Sequence, residues 1–367
     1  MFLCYKNKGI LFKMGGTLSS GQQLTSANKL QGGNMVCLGL KNQVGQPNTW
    51  TTAYTHNVSG ILRKLWVATD GSYGPGNIYI QIIADGNVVW GNTNRSSGQD
   101  GIGNIGLALD MLMAPAGAGT ASFETNILGC NMFNPTGGFG GYIVMDIAFI
   151  NTLQILLGTS QGSIFNYWIQ PFVEEFPQNI VSLYPYKCYC IPVKWSNTVY
   201  NNEYPLLDFK GNGNGVYLLG IKMYIFGYSG NWWEGRFRAY TSTNGFGKNS
   251  IPATGWNINH TISNIPTGMT GGRVILQSTG TEDFFFSSHN WTNTNGVYAT
   301  DTAGCLYNSN GTNGVTSTSS VSVYRFFDQD KLHSNLNDFL SLTWTSGDPQ
   351  VGQSGSVTIF SQVWFLV

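Results

Sequence analysis

The sequence predicts an all-β fold built as a tandem double jelly roll, two antiparallel β-sandwiches in one chain. Three observations lead there. Short runs rich in Ile, Val, Tyr, Phe and Trp recur between clusters of Gly, Asn, Asp and Ser, the pattern of many antiparallel strands. Aromatic residues supply 14% of the 367 positions and glycine 48 of them, while Asp, Glu, Lys and Arg together reach only 10%. Amphipathic periodicity near 3.6 residues is almost absent, with one short helix expected over 107–113.

This composition excludes a disordered chain, which needs high charge and few aromatics, and a coiled coil, which needs Glu, Lys and Leu in heptads. The clearest strands are 61–67, 78–83, 142–157, 164–172, 216–226, 236–240, 321–327, 339–344 and 357–365. Asp85-Gly86-Asn87 lies between two apolar runs and reads as a tight hairpin, because these residue types tolerate positive φ. A stretch over 174–205 carries Pro177, Pro185, Pro192 and Pro205, and proline there is expected to keep the connection out of a central strand. The expected organisation is an extension over 1–14, a first jelly roll over 15–173, a linker over 174–205 and a second jelly roll over 206–367.

The 18 basic and 18 acidic residues cancel. No field draws phosphate backbones and no polybasic run holds a membrane, so direct nucleic-acid binding is not expected. Near-zero net charge instead favours association. The six cysteines lack paired C-x-x-C spacing, so neither a metal site nor a cofactor is expected. Cys188 and Cys190 would share one strand face, two residues apart, as buried free thiols.

The start of the chain lacks the continuous apolar stretch and small-residue cleavage site of a secretory signal, and no apolar run is long enough for a spanning helix. A start at Met14 would give a myristoylation-like pattern over 14–19. Gly101-Ile102-Gly103-Asn104-Ile105-Gly106 matches a dinucleotide loop outside any βαβ context and reads as a surface loop. Gly158-Thr159-Ser160-Gln161-Gly162 imitates a nucleophile elbow between two strands and reads as a turn.

The second half contains in order 207–213, a Gly-rich turn; Trp232-Trp233-Glu234-Gly235; and Ser278-Thr279-Gly280-Thr281-Glu282-Asp283-Phe284-Phe285. Tyr324-Arg325-Phe326-Phe327 follows, and in the first half Ser26 to Asn34 forms a polar, Gly-rich loop. This constellation resembles glycoside hydrolase family 172, furanosidases of double jelly-roll fold that assemble as trimers with the site near a subunit boundary. The resemblance implies a retaining carboxylate pair, Glu234 as nucleophile and Glu282 as acid/base, about 5 Å apart. It also implies that Trp232 and Trp233 stack on the sugar and desolvate one carboxyl, with Asp283 and Asn34 among the substrate-binding groups. Departures from the family pattern are Arg236 after the first motif, Asn28 near the place of an Asp, and Phe327 in place of a His.

Double jelly-roll trimers are also the capsomer shape of many icosahedral viruses, an architectural resemblance. Two functions are therefore expected. The first is a homotrimeric, self-assembling building block of a shell or tube, related to a glycosidase ancestor and placed in a virion or extracellular assembly, or else in the cytoplasm. The alternative is a retaining hydrolase or transglycosylase acting on D-fructofuranosides or D-arabinofuranosides, with carbohydrate as its partner.

Overall fold

A computed structural model describes residues 32–70, 78–91, 107–108, 123–124, 128–134, 138–159, 162–182, 188–195, 203–210, 216–228, 236–242, 273–285, 298–299, 303–308, 319–326, 333–334, 339–345 and 358–366. The first half contributes β1 (Asn34–Cys37), β2 (Leu40–Gly45), β3 (Trp50–His56), β4 (Gly60–Asp70), β5 (Ile78–Ala84), β6 (Asn87–Trp90), β7 (Leu107–Ala108), β8 (Phe123–Glu124), β9 (Leu128–Asn134), β10 (Gly138–Phe149), β11 (Leu153–Thr159) and β12 (Phe165–Glu175). The second half contributes β13 (Cys188–Trp195), β14 (Glu203–Lys210), β15 (Val216–Tyr228), β16 (Arg236–Ser242), β17 (Arg273–Gly280), β18 (Tyr298–Ala299), β19 (Ala303–Asn308), β20 (Ser319–Phe326), β21 (His333–Ser334), β22 (Phe339–Thr345) and β23 (Thr358–Leu366). Two single helical turns, Gln178–Val181 and Thr281–Phe284, interrupt this series.

Strand order identifies the architecture. Eight principal strands of the first unit are β2, β3, β4, β5, β6, β10, β11 and β12. Numbered in that order, one sheet runs first-eighth-third-sixth (β2-β12-β4-β10) and the other second-seventh-fourth-fifth (β3-β11-β5-β6). The second unit, taken as β13, β14, β15, β16, β17, β20, β22 and β23, repeats both orders as β13-β23-β15-β20 and β14-β22-β16-β17. Each unit even adds the same pair of strands beside its sixth, β9-β8 in one and β19-β18 in the other. Two interleaved Greek keys of this kind make a jelly roll, so the chain is a tandem double jelly roll.

The units are welded edge to edge. The fifth strand of the first unit, β6, pairs in parallel with the first strand of the second, β13, through Trp90 and Cys190. The Gly91 N–H donates to the Cys190 carbonyl at 3.1 Å. A single 12-stranded sheet thereby runs through both units.

Alternation along its strands divides the side chains between two cores. Along β23, Trp364 and Leu366 join the first core, whereas Ile359, Val363 and Phe365 join the second. Tyr324 and Phe326 on β20 take the first side and Val323 the second. Trp90 meets Trp364 edge-on with centroids 6.4 Å apart, and Phe326 lies 5.2 Å from the same indole. Cys188 and Cys190 are buried free thiols on one face of β13, and burial, with Cys188 beside it, pushes the Cys190 thiol well above its ordinary pKa.

Most sequence-expected strands appear, with three differences. The apolar run 142–157 is two strands, β10 and β11, which lie in different sheets. The break is held from a distance: the Asp85 carboxylate accepts the N–H groups of Ile150, Asn151 and Thr152 at 2.8, 2.6 and 3.1 Å. Asp85 and Gly86 form the expected β5–β6 turn, with φ of 50° and 78°, the positive values a primed hairpin turn requires.

The second difference is the proline-bearing stretch 174–205, which contains β13, an interior strand paired along its whole length with β23. Pro192 is tolerated because its nitrogen faces the same way as the peptide groups of Cys190, toward β6, and β6 has already ended at Trp90. Third, the stretch expected to be helical begins with β7 at Leu107–Ala108, and its remainder lies outside the described residues.

Removing the shared aromatic at the weld tests the coupling. Trp364→Ala should cost about 3–5 kcal/mol, the range for deleting a fully buried large aromatic. Urea denaturation followed by circular dichroism should show one transition, shifted as a whole. Two separate transitions in the parent chain would show that the weld does not join the units.

Candidate functional site

In a chain so poor in charge, the described ion pairs gather at one end of the first sandwich. β4 supplies Arg63, β10 Asp146, β12 Glu174 and Glu175, and β3 Tyr54 and His56. The Arg63 guanidinium reaches Asp146 Oδ2 at 2.7 Å through Nη1 and Glu174 Oε2 at 2.7 and 2.8 Å through Nη2 and Nε. Burial alone lowers the affinity of Arg63 for its proton, but the two carboxylates outweigh it and hold the pKa above the ordinary value.

The other Glu174 oxygen, Oε1, accepts the backbone N–H groups of Gly32 and Gly33 at 2.9 and 2.8 Å. A Cβ on Gly33 would lie 2.4 Å from the Glu175 carbonyl oxygen and 2.8 Å from the Glu174 side chain, so only glycine lets the chain approach this closely. Four donors thus occupy a carboxylate with about four acceptor positions. Glu174 is saturated and has no lone pair to offer a substrate proton. It acts as a clamp that fixes where β1 begins.

Glu175 forms a second clamp. His56 Nε2 lies 3.0 Å from its Oε1, and the Asn34 amide donates to its Oε2 at 3.2 Å. The opposite imidazole nitrogen, Nδ1, is 2.9 Å from the Tyr54 hydroxyl. Burial, then the nearby Glu175 and Cys37, raise the Tyr54 pKa, so the phenol stays neutral. These contacts set β3 of one sheet against β12 and β1 of the other at that end of the sandwich.

Of the residues singled out from sequence, Trp232, Trp233 and Glu234 lie outside the described residues, as do Asn28 and Phe327. Glu282 and Asp283 occupy the turn Thr281–Phe284 that follows β17, and their side chains also lie outside the description. Asn34 is exposed at the start of β1 and engaged by Glu175, so it belongs to the first unit, whereas Glu282 belongs to the second.

The residues around Glu282 are anchored by the second core. Trp344 Nε1 donates to Thr281 Oγ1 at 3.1 Å, and Phe284 stacks on Phe237 with centroids 4.2 Å apart. Arg325 donates to the Phe284 carbonyl at 2.8 Å and lies over its ring. Two segments quoted for the family resemblance therefore do meet, through Arg325 and Phe284, and the contact is one of packing. Among the described residues no group of three or more His, Cys, Asp or Glu is arranged to hold a metal ion.

Sequence reasoning missed Arg63, Asp146 and Glu174. A signal existed: Arg63 interrupts an apolar strand, and a charge on a half-buried strand requires a partner.

No family model matches this chain, and no curated protein matches it. Among solved structures it is similar to the STIV MCP, at 7% identity over 91% of this chain and 97% of that one, with a TM-score of 0.43. It is similar to a chain in the atomic structure of Sulfolobus Turreted Icosahedral Virus, at 10% identity over 91% of both chains and a TM-score of 0.41. The major capsid protein P2 from Bacteriophage PM2 shares 8% identity over 91% of this chain and 97% of its own, with a TM-score of 0.25. The assignment of the fold follows from the strand order itself.

Arg63→Met should destabilise the chain by about 3 kcal/mol, the lower end for stripping a cation from buried carboxylates. Glu174→Gln added to Arg63→Met should cost less than the two single changes summed. A double-mutant cycle in urea measures that coupling.

Proposed function

We propose that this chain is a structural building block that associates into homotrimers and packs into a virion shell or a tube of the same design. The observation that supports it is the repeat of one jelly-roll order in two units fused through a continuous sheet. Such a block is rigid at its middle, because the joint is a buried apolar core and a mobile joint between domains is small and polar. Zero net charge removes the self-repulsion that would oppose close packing. The apolar side chains Met35, Leu38, Val44 and Val58 of the first unit remain 53%, 55%, 43% and 51% exposed. On this reading the protein resides in the assembled particle, and its partners are copies of itself.

Among the described residues no helix is long and apolar enough to cross a membrane. The furanosidase alternative, and descent from such an enzyme, depend on Glu234 and Glu282, and no described contact favours them. An assembly assay separates the readings. Light scattering on the purified chain should give three times the mass of one chain, and negative-stain images should show ordered sheets or shells at high concentration. A monomer at every concentration overturns the proposal. Turnover of an aryl arabinofuranoside or fructofuranoside that disappears in both Glu234→Gln and Glu282→Gln would establish the enzyme instead.

A further inference from the structure

The weld between the units has a polarity that leaves the molecule unfinished at two places. Fifth strand joins first strand, β6 to β13. The first unit's own first strand, β1 continued by β2, pairs only with β12 and ends its sheet; the second unit's fifth strand, β17, pairs only with β16 and ends its sheet, both among the described residues. Among the described residues the chain therefore carries one unpaired copy of each half of a joint it already makes.

Among the described residues the first-strand edge carries little of the usual protection. Natural edges are guarded by charge, proline or a covering segment. Over β1 and β2 the only formal charge is Lys41, and Met35, Leu38, Leu40 and Val44 are exposed. β17 has the sequence Arg-Val-Ile-Leu-Gln-Ser-Thr-Gly, with its single charge at the start. Both strands present backbone groups with no partner strand on their outer side among the described residues.

We infer that β17 of one copy pairs in parallel with the β1–β2 edge of a second copy, repeating between chains the joint that β6 and β13 make within one. This rests on the self-assembly reading and names its surface. The register follows from the internal joint. There the last residue of β6 meets the third of β13, and the following glycine, Gly91, donates to the partner strand. Its counterpart sets Gly280, the last residue of β17, beside Val36, the third of β1, and therefore Thr279 beside Met35 and Ser278 beside Asn34. A parallel pair in this register keeps Arg273 and Lys41 at opposite ends, so the two cations do not face each other. The contact is heterologous, each copy giving β17 to one neighbour and β1 to another, and it closes into a ring when three copies complete the circuit.

Met35 is exposed on β1 and provides the probe. In a Cys37→Ser background, Met35→Cys is combined with Thr279→Cys, the position opposite it, or with Val274→Cys at the distant end of β17 as the control, and each is oxidised as assembled protein. Peptide mapping should find an intermolecular disulfide between positions 35 and 279 at about tenfold the yield of the control, because the bond closes only when the two Cα atoms lie within about 7 Å. Restoring either native residue should abolish it. Oligomers with no such enrichment, or with position 35 bonded to position 35 of another copy, overturn this inference and leave the self-assembly reading intact. A chain that stays monomeric by light scattering overturns both. Met35→Lys gives a second readout: folded chains by circular dichroism with at least about tenfold weaker association, the effect of a charged guard on an open edge, support the joint, and unchanged association refutes it.

Discussion

The structure depends on one sheet serving two cores. Strands β13, β23, β15 and β20 form a wall of the second jelly roll, and their reverse face carries Cys188, Cys190, Trp364, Leu366, Tyr324 and Phe326 into the first core. A strand buried on both faces does not alternate apolar with polar along its core-facing stretch, which is why β23 ends in four consecutive apolar residues, Val363 to Leu366. Aromatic side chains bring large buried areas to this wall, and three of them, Trp90, Trp364 and Phe326, interlock across the weld. The units are consequently one mechanical body. No hinge can operate between them without exposing both cores.

Polar groups are distributed in keeping with that constraint. Arg63, Asp146 and Glu174 lie at one end of the first sandwich, where Glu174 can spend its four acceptor positions on Arg63 and the Gly32 and Gly33 amides. The neighbouring Glu175 holds Asn34, and the two carboxylates together set the start of the first strand. An ion cluster of this kind adds little net stability, since desolvation offsets much of the attraction. Its contribution is register. A one-residue slip of β1 along β12 would turn Met35 and Cys37 to the opposite face.

Local features were legible in the sequence and long-range ones were not. The run 78–83 reads correctly as β5 because its Ile residues favour strand and Asp85-Gly86 supplies the only turn chemistry that can follow. The run 142–157 misleads because both strands within it are apolar, and the residue that breaks it, Asp85, lies far away in the chain. Pro192 misleads for a related reason: a proline is excluded only where the neighbouring strand needs its N–H, and that depends on where β6 stops. Strand order is invisible locally, since Cys188 pairs with Leu366 and Asn34 with Glu175. The motif around Glu282 drew attention as chemistry, yet its described neighbours Thr281 and Phe284 are fixed by Trp344, Phe237 and Arg325, partners that only folding brings together.

A duplicated unit joined to its twin by unlike edges has a consequence that a single jelly roll lacks. The kind of edge that makes the internal joint exists twice, and among the described residues only half of the edges are paired. Selection for solubility would cover the remainder with charge, as edge strands generally are. This chain instead keeps Met35, Leu38 and Leu40 exposed beside a single Lys41, in a molecule of zero net charge. Holding that apolar edge open in an isolated chain costs solubility. A second copy covering it would offset that cost, and the internal weld shows a geometry in which the equivalent edges, β6 and β13, fit.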